Sequence, residues 1–248
     1  MIELNKIYNE DCLEGMRRIP DKSVDMILCD LPYATSACKW DTIIPFEPLW
    51  EQYERVIKDG GAIILTASQP FTTKLISSNF DWFKYELIWN KVLPTGFAIA
   101  KIQPMKQHEN VLVFGKGKVT YNPQMTPREK PRTYNRTHKN YEGSENLQKH
   151  DGKARTLTHY YPRSLLEFSN ANNKSKVHPT QKPVPLFEYL IRTYTNENET
   201  ILDNCMGSGT TAIACLNTNR NFIGFELDET YHTVANERIT KHLLERGD

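Results

Sequence analysis

The sequence has little with which to staple or anchor a fold. Its five cysteines (Cys12, Cys29, Cys38, Cys205 and Cys215) are odd in number, scattered, and never spaced as CxxC. That pattern argues against a disulfide framework and a structural zinc site, and it fits a reducing compartment. The seven histidines show no HxxxH pair, so no metal is expected. No apolar run approaches the roughly 20 residues of a membrane span. The opening MIELNKIYNEDCLEGM lacks a basic segment followed by an apolar core, so no secretory leader and a cytoplasmic, membrane-free location are expected. Net charge is scarce too. The 31 Lys and Arg balance 30 Asp and Glu, and +1 over 248 residues offers a polyanion nothing.

What is present alternates. Short apolar runs at Val24–Cys29, Ala62–Leu65, Tyr85–Trp89, Val111–Phe114, Thr200–Asp203 and Asn221–Glu226 read as strands, with a weaker one near Leu4–Tyr8. Helical spacing marks Phe46–Ile57, Phe71–Ser78, Thr210–Asn217 and Glu229–Leu244. Strands alternating with helices predict an α/β fold, doubly wound around a mainly parallel sheet.

Gly115–His178 breaks this rhythm. It carries 13 basic residues against 5 acidic, or +8, while the remainder of the chain carries −7. Periodicity fades there, and Tyr121, Tyr134, Tyr141, Tyr160 and Tyr161 lie among the cations. Charge neutralisation with aromatic stacking suits a nucleic-acid surface, and a solvated loop suits the same composition. A structureless loop of this length predicts an inserted functional segment or disorder.

Two turns carry candidate chemistry. Strand Thr200–Asp203 runs through Asn204-Cys205-Met206 into Gly207-Ser208-Gly209-Thr210-Thr211, and Glu226 follows 17 positions after Gly209. Glycines admit close backbone approach, and an acid at the end of the next strand can accept a ribose diol. No lysine follows Gly209, so this is not a P-loop. A dinucleotide site or a plain strand–helix turn stays open on this feature alone. Asp30-Leu31-Pro32-Tyr33 follows a buried strand, where ligands bind in such sheets, though an ordinary turn has the same composition. A carboxylate and a backbone carbonyl there could accept both N–H bonds of a nucleobase amine and stabilise charge developing on it. Tyr33 offers a face for an extruded base.

Together, these motifs resemble those of S-adenosylmethionine-dependent amino-DNA methyltransferases. Asp30–Tyr33 is similar to their Asp-Pro-Pro-Tyr motif, and Asp203–Thr211 to their Gly-rich cofactor motif. His178-Pro179-Thr180-Gln181-Lys182-Pro183, Asn9-Glu10-Asp11-Cys12-Leu13, Trp40-Asp41 and His108–Phe114 also resemble family blocks. Catalytic motif, insertion, then cofactor motif is the order of the β class. The resemblance implies a seven-stranded methyltransferase sheet with a target-recognition insertion, divided as residues 1–114, 115–177 and 178–248. It also implies methylation of a flipped base in double-stranded DNA, with adenine N6 favoured because Asp rather than Ser heads the tetrapeptide. Cytosine N4 is the runner-up. An RNA methyltransferase, a silent binding module and a nicotinamide oxidoreductase are the weaker readings.

The implied roles follow position by position. Asp30, Leu31, Pro32 and Tyr33 form the catalytic loop. Asp11, Cys12, Asp30, Thr180, Lys182, Asp203, Cys205, Gly207, Ser208, Gly209, Thr210, Thr211, Glu226 and Leu227 bind the cofactor. Lys182 suits a carboxylate, or it is a surface lysine before a helix. Leu31 replaces a proline, Ala34 stands where glycine is usual, and Cys205 replaces a phenylalanine. Cys205 is not read as a nucleophile, because amine methylation is a direct transfer. A homodimer and a cognate restriction endonuclease are implied partners.

Overall fold

The computed structural model describes residues 2–34, 42–134, 154–170 and 181–247. The chain divides into two compact units, Pro123–Arg163 and the two flanking stretches together. In chain order the large unit contains β1 (Lys6–Tyr8), α1 (Cys12–Met16), β2 (Val24–Cys29), α2 (Phe46–Val56), β3 (Ile57–Ala67), α3 (Phe71–Ser78), β4 (Phe83–Thr95) and β5 (Lys106–Phe114). The small unit contributes β6 (Thr126–Tyr134) and β7 (Arg155–Tyr160). The large unit resumes with β8 (Leu165–Glu167), α4 (Val184–Tyr194), β9 (Thr200–Asp203), α5 (Thr210–Asn217), β10 (Asn221–Phe225) and α6 (Glu229–Arg246).

The sheet order is β1-β10-β9-β2-β3-β5-β4-β8. Only β5 runs antiparallel to its neighbours. Side chains of successive residues point to opposite faces, so each inner strand feeds two cores. Ile27, Cys29, Ile63 and Leu65 pack with Met16, Tyr53 and Phe71 of α1, α2 and α3. Met26, Leu28, Ala62 and Ile64 pack with Leu190, Ala212 and Ala235 of α4, α5 and α6. Strands buried on both faces explain the near-continuous apolar runs.

The doubly wound reading holds, with eight strands in the main sheet among the described residues where seven were expected. The eighth, β8, is only three residues and pairs with Ile88–Asn90 at the sheet edge, too short to register as a pattern. α4 follows Lys182, as one reading of that lysine implied, though no bounds were assigned to it. Pro183 and Pro185 stand at its start, where a missing N–H costs nothing. The structureless reading of Gly115–His178 is corrected in its described parts. β6 and β7 form an antiparallel ribbon, and residues 115–122 and 164–170 belong to the large unit.

Because β9→α5→β10 winds one way from the centre and β2→α2→β3 the other, the sheet reverses direction between β9 and β2. Ligands bind beyond the carboxyl ends of the strands at such a switch point. Asp203 ends β9 and Asp30 follows β2 directly.

Candidate active site

A cleft of about 690 Å³ opens at this switch point. It brings together the two turns, the Asp11 turn, and Lys182. Thr180 and Trp40-Asp41 lie outside the described residues.

The cofactor turn is held by two carboxylates. Asp203 is buried; its Oδ1 accepts the Cys205 N–H at 3.0 Å, and its Oδ2 accepts the Thr211 hydroxyl. Glu226, at the mouth of β10, accepts the Gly207 N–H at 2.7 Å on Oε2 and the Asp228 N–H at 2.9 Å on Oε1. Gly209 turns the chain at φ +79°, a conformation that favours glycine, and a Cβ there would press on that of Ala235 at 3.2 Å. Asn9 donates from Nδ2 to the Glu226 and Leu227 carbonyls, at 2.8 and 3.1 Å, which ties the N-terminal acidic turn to this edge. Asp11 caps α1 through Oδ1. Leu227 stays 68% exposed beside Glu226, an apolar surface left open at the cleft.

Cys12, Cys29 and Cys205 gather beneath the turn, where Asn204 Nδ2 donates to the sulfurs of Cys12 and Cys205, each at 3.5 Å. The bond with Cys205, then burial, pushes the Cys12 thiol up. Burial pushes Cys29 up to about 12. Cys205 is lowered by its bond with Cys12 but raised further by Cys29 and by burial. Protonated thiols are poor nucleophiles, in agreement with a direct-transfer reading of this turn.

The catalytic turn is tied into a chain of charge. Asp30 Oδ1 accepts the Tyr33 hydroxyl at 2.7 Å and the Thr66 hydroxyl, while Oδ2 accepts Lys182 Nζ at 2.6 Å. Lys182 lies 3.4 Å from Glu109 Oε2, and Lys91 lies 3.1 Å from Glu109 Oε1. Two cations and two anions thus alternate, with both ammonium groups buried. Burial lowers the Lys182 pKa, but the Asp30 and Glu109 carboxylates outweigh it and leave the ammonium raised. The surface reading of Lys182 therefore fails. Thr210 donates to the Lys182 carbonyl at 3.4 Å, which joins the cofactor turn to this chain.

Tyr33 stacks on Phe71 with ring centres 5.1 Å apart. Ala34 adopts φ +53°, the left-handed conformation that its place in the motif demands and that glycine would take more cheaply. Sequence reasoning did not assign Thr66, Lys91 or Glu109 to the site. Their signal is polarity at the mouth-side end of apolar strands. Because β5 is antiparallel, its beginning, Lys106–Glu109, reaches the edge that the other strands reach with their ends.

In the small unit, the Arg128 guanidinium lies 3.8 Å over the Tyr160 ring and Nε donates to the His159 carbonyl. Tyr160 and Tyr161 are exposed. Tyr121 instead packs against Tyr194 in the large unit.

Among the described residues, no helix is long and apolar enough to cross a membrane, and no cluster of metal-ligating side chains occurs. A family model described as DNA methylase, for the N6/N4 enzymes, matches residues 24–237. The chain is 29% identical to the Type II methyltransferase M1.MboII of Moraxella bovis, over 95% of this chain and 96% of that one. The fold superposes on the M1.HpyAVI–SAM complex with a TM-score of 0.64 at 25% identity, covering 94% of this chain and 98% of that one. It also superposes on the cytosine-N4-specific PvuII DNA methyltransferase with a TM-score of 0.66, covering 100% of this chain and 95% of that one. At 16% identity, the PvuII match speaks for the fold alone.

Two outcomes follow from the site's electrostatics. Lys182→Met strands Asp30 and half of Glu109, and should cost about 3–5 kcal/mol. Adding Asp30→Asn should recover part of that loss, as measured by urea unfolding of the single and double variants. For Asp203, burial pushes the carboxyl up to about 6 from 3.8, against the hydrogen bonds from Thr211 and Cys205. Between about pH 4 and 6 the folded chain therefore holds a proton that the unfolded chain has released, so this residue's contribution to stability falls as pH rises and is level above 6. Relative to Asp203→Asn, the wild type should lose on the order of 2–3 kcal/mol across that window, and unfolding at both ends of it measures the difference.

Proposed function

The chain belongs to the N6/N4 DNA methylase family, and on that premise we propose that it methylates adenine N6 of a base extruded from double-stranded DNA. S-adenosylmethionine is the methyl donor. The residues present fit it: an open apolar surface at Leu227 beside the Glu226 carboxylate, and a turn whose glycine brings backbone close. When bound, the cofactor supplies an electrophilic methyl on a sulfonium.

The protein's part is positioning and charge. Glu226 takes the ribose diol, Asp11 stands at the adenine side, and Cys12 and Leu227 add apolar surface there. Asp203, Cys205 and Gly207–Thr211 shape the methionine end, with Lys182 closing that side. Asp30 and the Leu31 carbonyl accept the two N–H bonds of the target amine. They draw its lone pair out of ring conjugation and stabilise the positive charge that grows as nitrogen bonds carbon. Pro32 stiffens the loop, and Tyr33, braced by Phe71 and bonded to Asp30, presents a ring to the base. Lys182, Tyr33 and Thr66 fix the carboxylate before substrate arrives, so little reorganisation is left for the reaction.

The observation that carries this reading is the Asp30 carboxylate, held at the mouth of β2 beside the cofactor turn. The choice of adenine rests on aspartate at that position. Residues 1–114 and 178–248 form the catalytic and cofactor halves, and 115–177 the target-recognition insertion, whose separate unit is Pro123–Arg163; its charge and the exposed tyrosines of its ribbon support this. Family kinship is the support for two further partners, a second copy of the chain and a cognate restriction endonuclease.

Asp30→Ala should abolish transfer of labelled methyl to DNA, while calorimetry finds S-adenosylmethionine binding within about threefold of wild type. Nucleoside analysis of the wild-type product should give N6-methyladenine; N4-methylcytosine alone would reassign the base. Replacing Arg128, Lys130, Arg132 and Arg163 by Gln should weaken duplex binding. It should also flatten the salt dependence by about one unit of slope for each phosphate no longer neutralised. An unchanged slope would make the ribbon a bystander.

A further inference from the structure

Arg238 is a half-buried cation with no anion beside it. It stands on α6 three residues beyond Ala235, against which Gly209 packs, so both face the cofactor turn. Its Nη1 donates to the Ser208 carbonyl at 2.9 Å, to the Ser208 hydroxyl at 3.4 Å and to the Thr210 hydroxyl at 3.3 Å. Burial lowers the guanidinium pKa, and no carboxylate among the described residues acts to raise it. Arg220, also held by carbonyls, differs, since Glu197 and Glu199 raise it against burial.

A partly desolvated guanidinium without a counter-charge is costly, and its position adds to the cost. The first N–H groups of α5, which no helical carbonyl accepts, belong to the same turn, and with them the positive end of the helix dipole. Two positive features side by side favour an anion close to both. Ser208 shows on which side. Ser208 and Thr210 line the cleft, whereas Arg238 stands behind them. The Thr210 hydroxyl donates to the Lys182 carbonyl. The Ser208 hydroxyl accepts from Arg238 and, among the described residues, donates to nothing. Its proton is therefore open to a ligand in the cleft, and the guanidinium behind it strengthens it as a donor. The lysines of the cleft are committed elsewhere: Lys182 to Asp30 and Glu109, Lys91 to Glu109, and Lys106 to Ser68. With Asp203 beneath the turn, a carboxylate entering here needs a cation of its own.

We infer that Arg238 is a positioning residue for the amino-acid end of S-adenosylmethionine, and that its charge, relayed by Ser208, holds the carboxylate of that end. This rests on the cofactor reading above, which puts the methionine end at Gly207–Thr211. Glu226 and Asp11 then select the nucleoside, and Arg238 selects a ligand whose α-carboxylate is intact.

Calorimetry on the full chain tests this with three ligands: S-adenosylmethionine, its decarboxylated form, and 5′-methylthioadenosine, which lacks both the carboxylate and the amine. Wild type should prefer S-adenosylmethionine to the decarboxylated form. Arg238→Met should weaken S-adenosylmethionine by about tenfold and leave the other two within about twofold. Arg238→Lys, which keeps the charge, should bind S-adenosylmethionine more tightly than Arg238→Met. Ser208→Ala, which keeps the guanidinium and removes the relay, should lose part of the same preference. A role confined to bracing the turn would weaken all three ligands together and leave the preference intact. That result in Arg238→Met or in Ser208→Ala would overturn the inference, as would an Arg238→Lys variant no better than Arg238→Met, or a wild type indifferent to the carboxylate. A wild type that binds none of the three would fail the cofactor reading itself, and the inference would fall with it.

Discussion

The ammonium of Lys182, held between Asp30 and Glu109, is the contact on which the catalytic edge depends. A lysine this buried is costly unless carboxylates surround it, and carboxylates this close to one another repel unless a cation separates them. Each charge in the Lys91–Glu109–Lys182–Asp30 series therefore requires its neighbour. The series also requires the topology. Lys91 comes from β4, Glu109 from the antiparallel β5, Asp30 from the exit of β2, and Lys182 from the approach to α4. Four distant stretches of sequence meet because one strand runs backwards and brings its beginning to the edge where the others end.

The cofactor turn is organised on the same logic but with neutral donors. Asp203 and Glu226 each accept from turn groups, mostly backbone N–H groups, and these carboxylates fix the glycine-bearing loop together with the buried Asn204 amide. Burial pushes both carboxyls up. They are therefore shape-holding acceptors at the switch point rather than loosely solvated charges. The Thr210 bond to the Lys182 carbonyl means that the two halves of the site share a member.

Much of this was legible from sequence, for physical reasons. Strands buried on both faces must be nearly all apolar, so Val24–Cys29 and Thr200–Asp203 announce themselves, and a turn that needs φ > 0 writes glycine at 207 and 209. What was hidden is what depends on pairing between distant segments. Thr66 is one polar residue near the end of β3, Lys91 follows Asn90 within β4, and Glu109 stands in the polar run Lys106–Asn110 that opens β5, and no local rule separates them from surface polarity. Lys182 could be read as exposed because its burial comes from partners 152 and 73 positions away. β8 was missed because three residues carry no period.

The near-zero net charge is a sum of unlike parts. Residues 115–178 carry +8 and the remainder −7, so long-range attraction to a polyanion, which salt screens, falls to that segment. The carboxylates of the cleft are neutralised locally instead: Asp30 by Lys182, and Glu109 by Lys182 and Lys91 together. Charge that would gather a duplex and charge that fixes the cleft therefore reside in different parts of the sequence, and a change in one need not disturb the other.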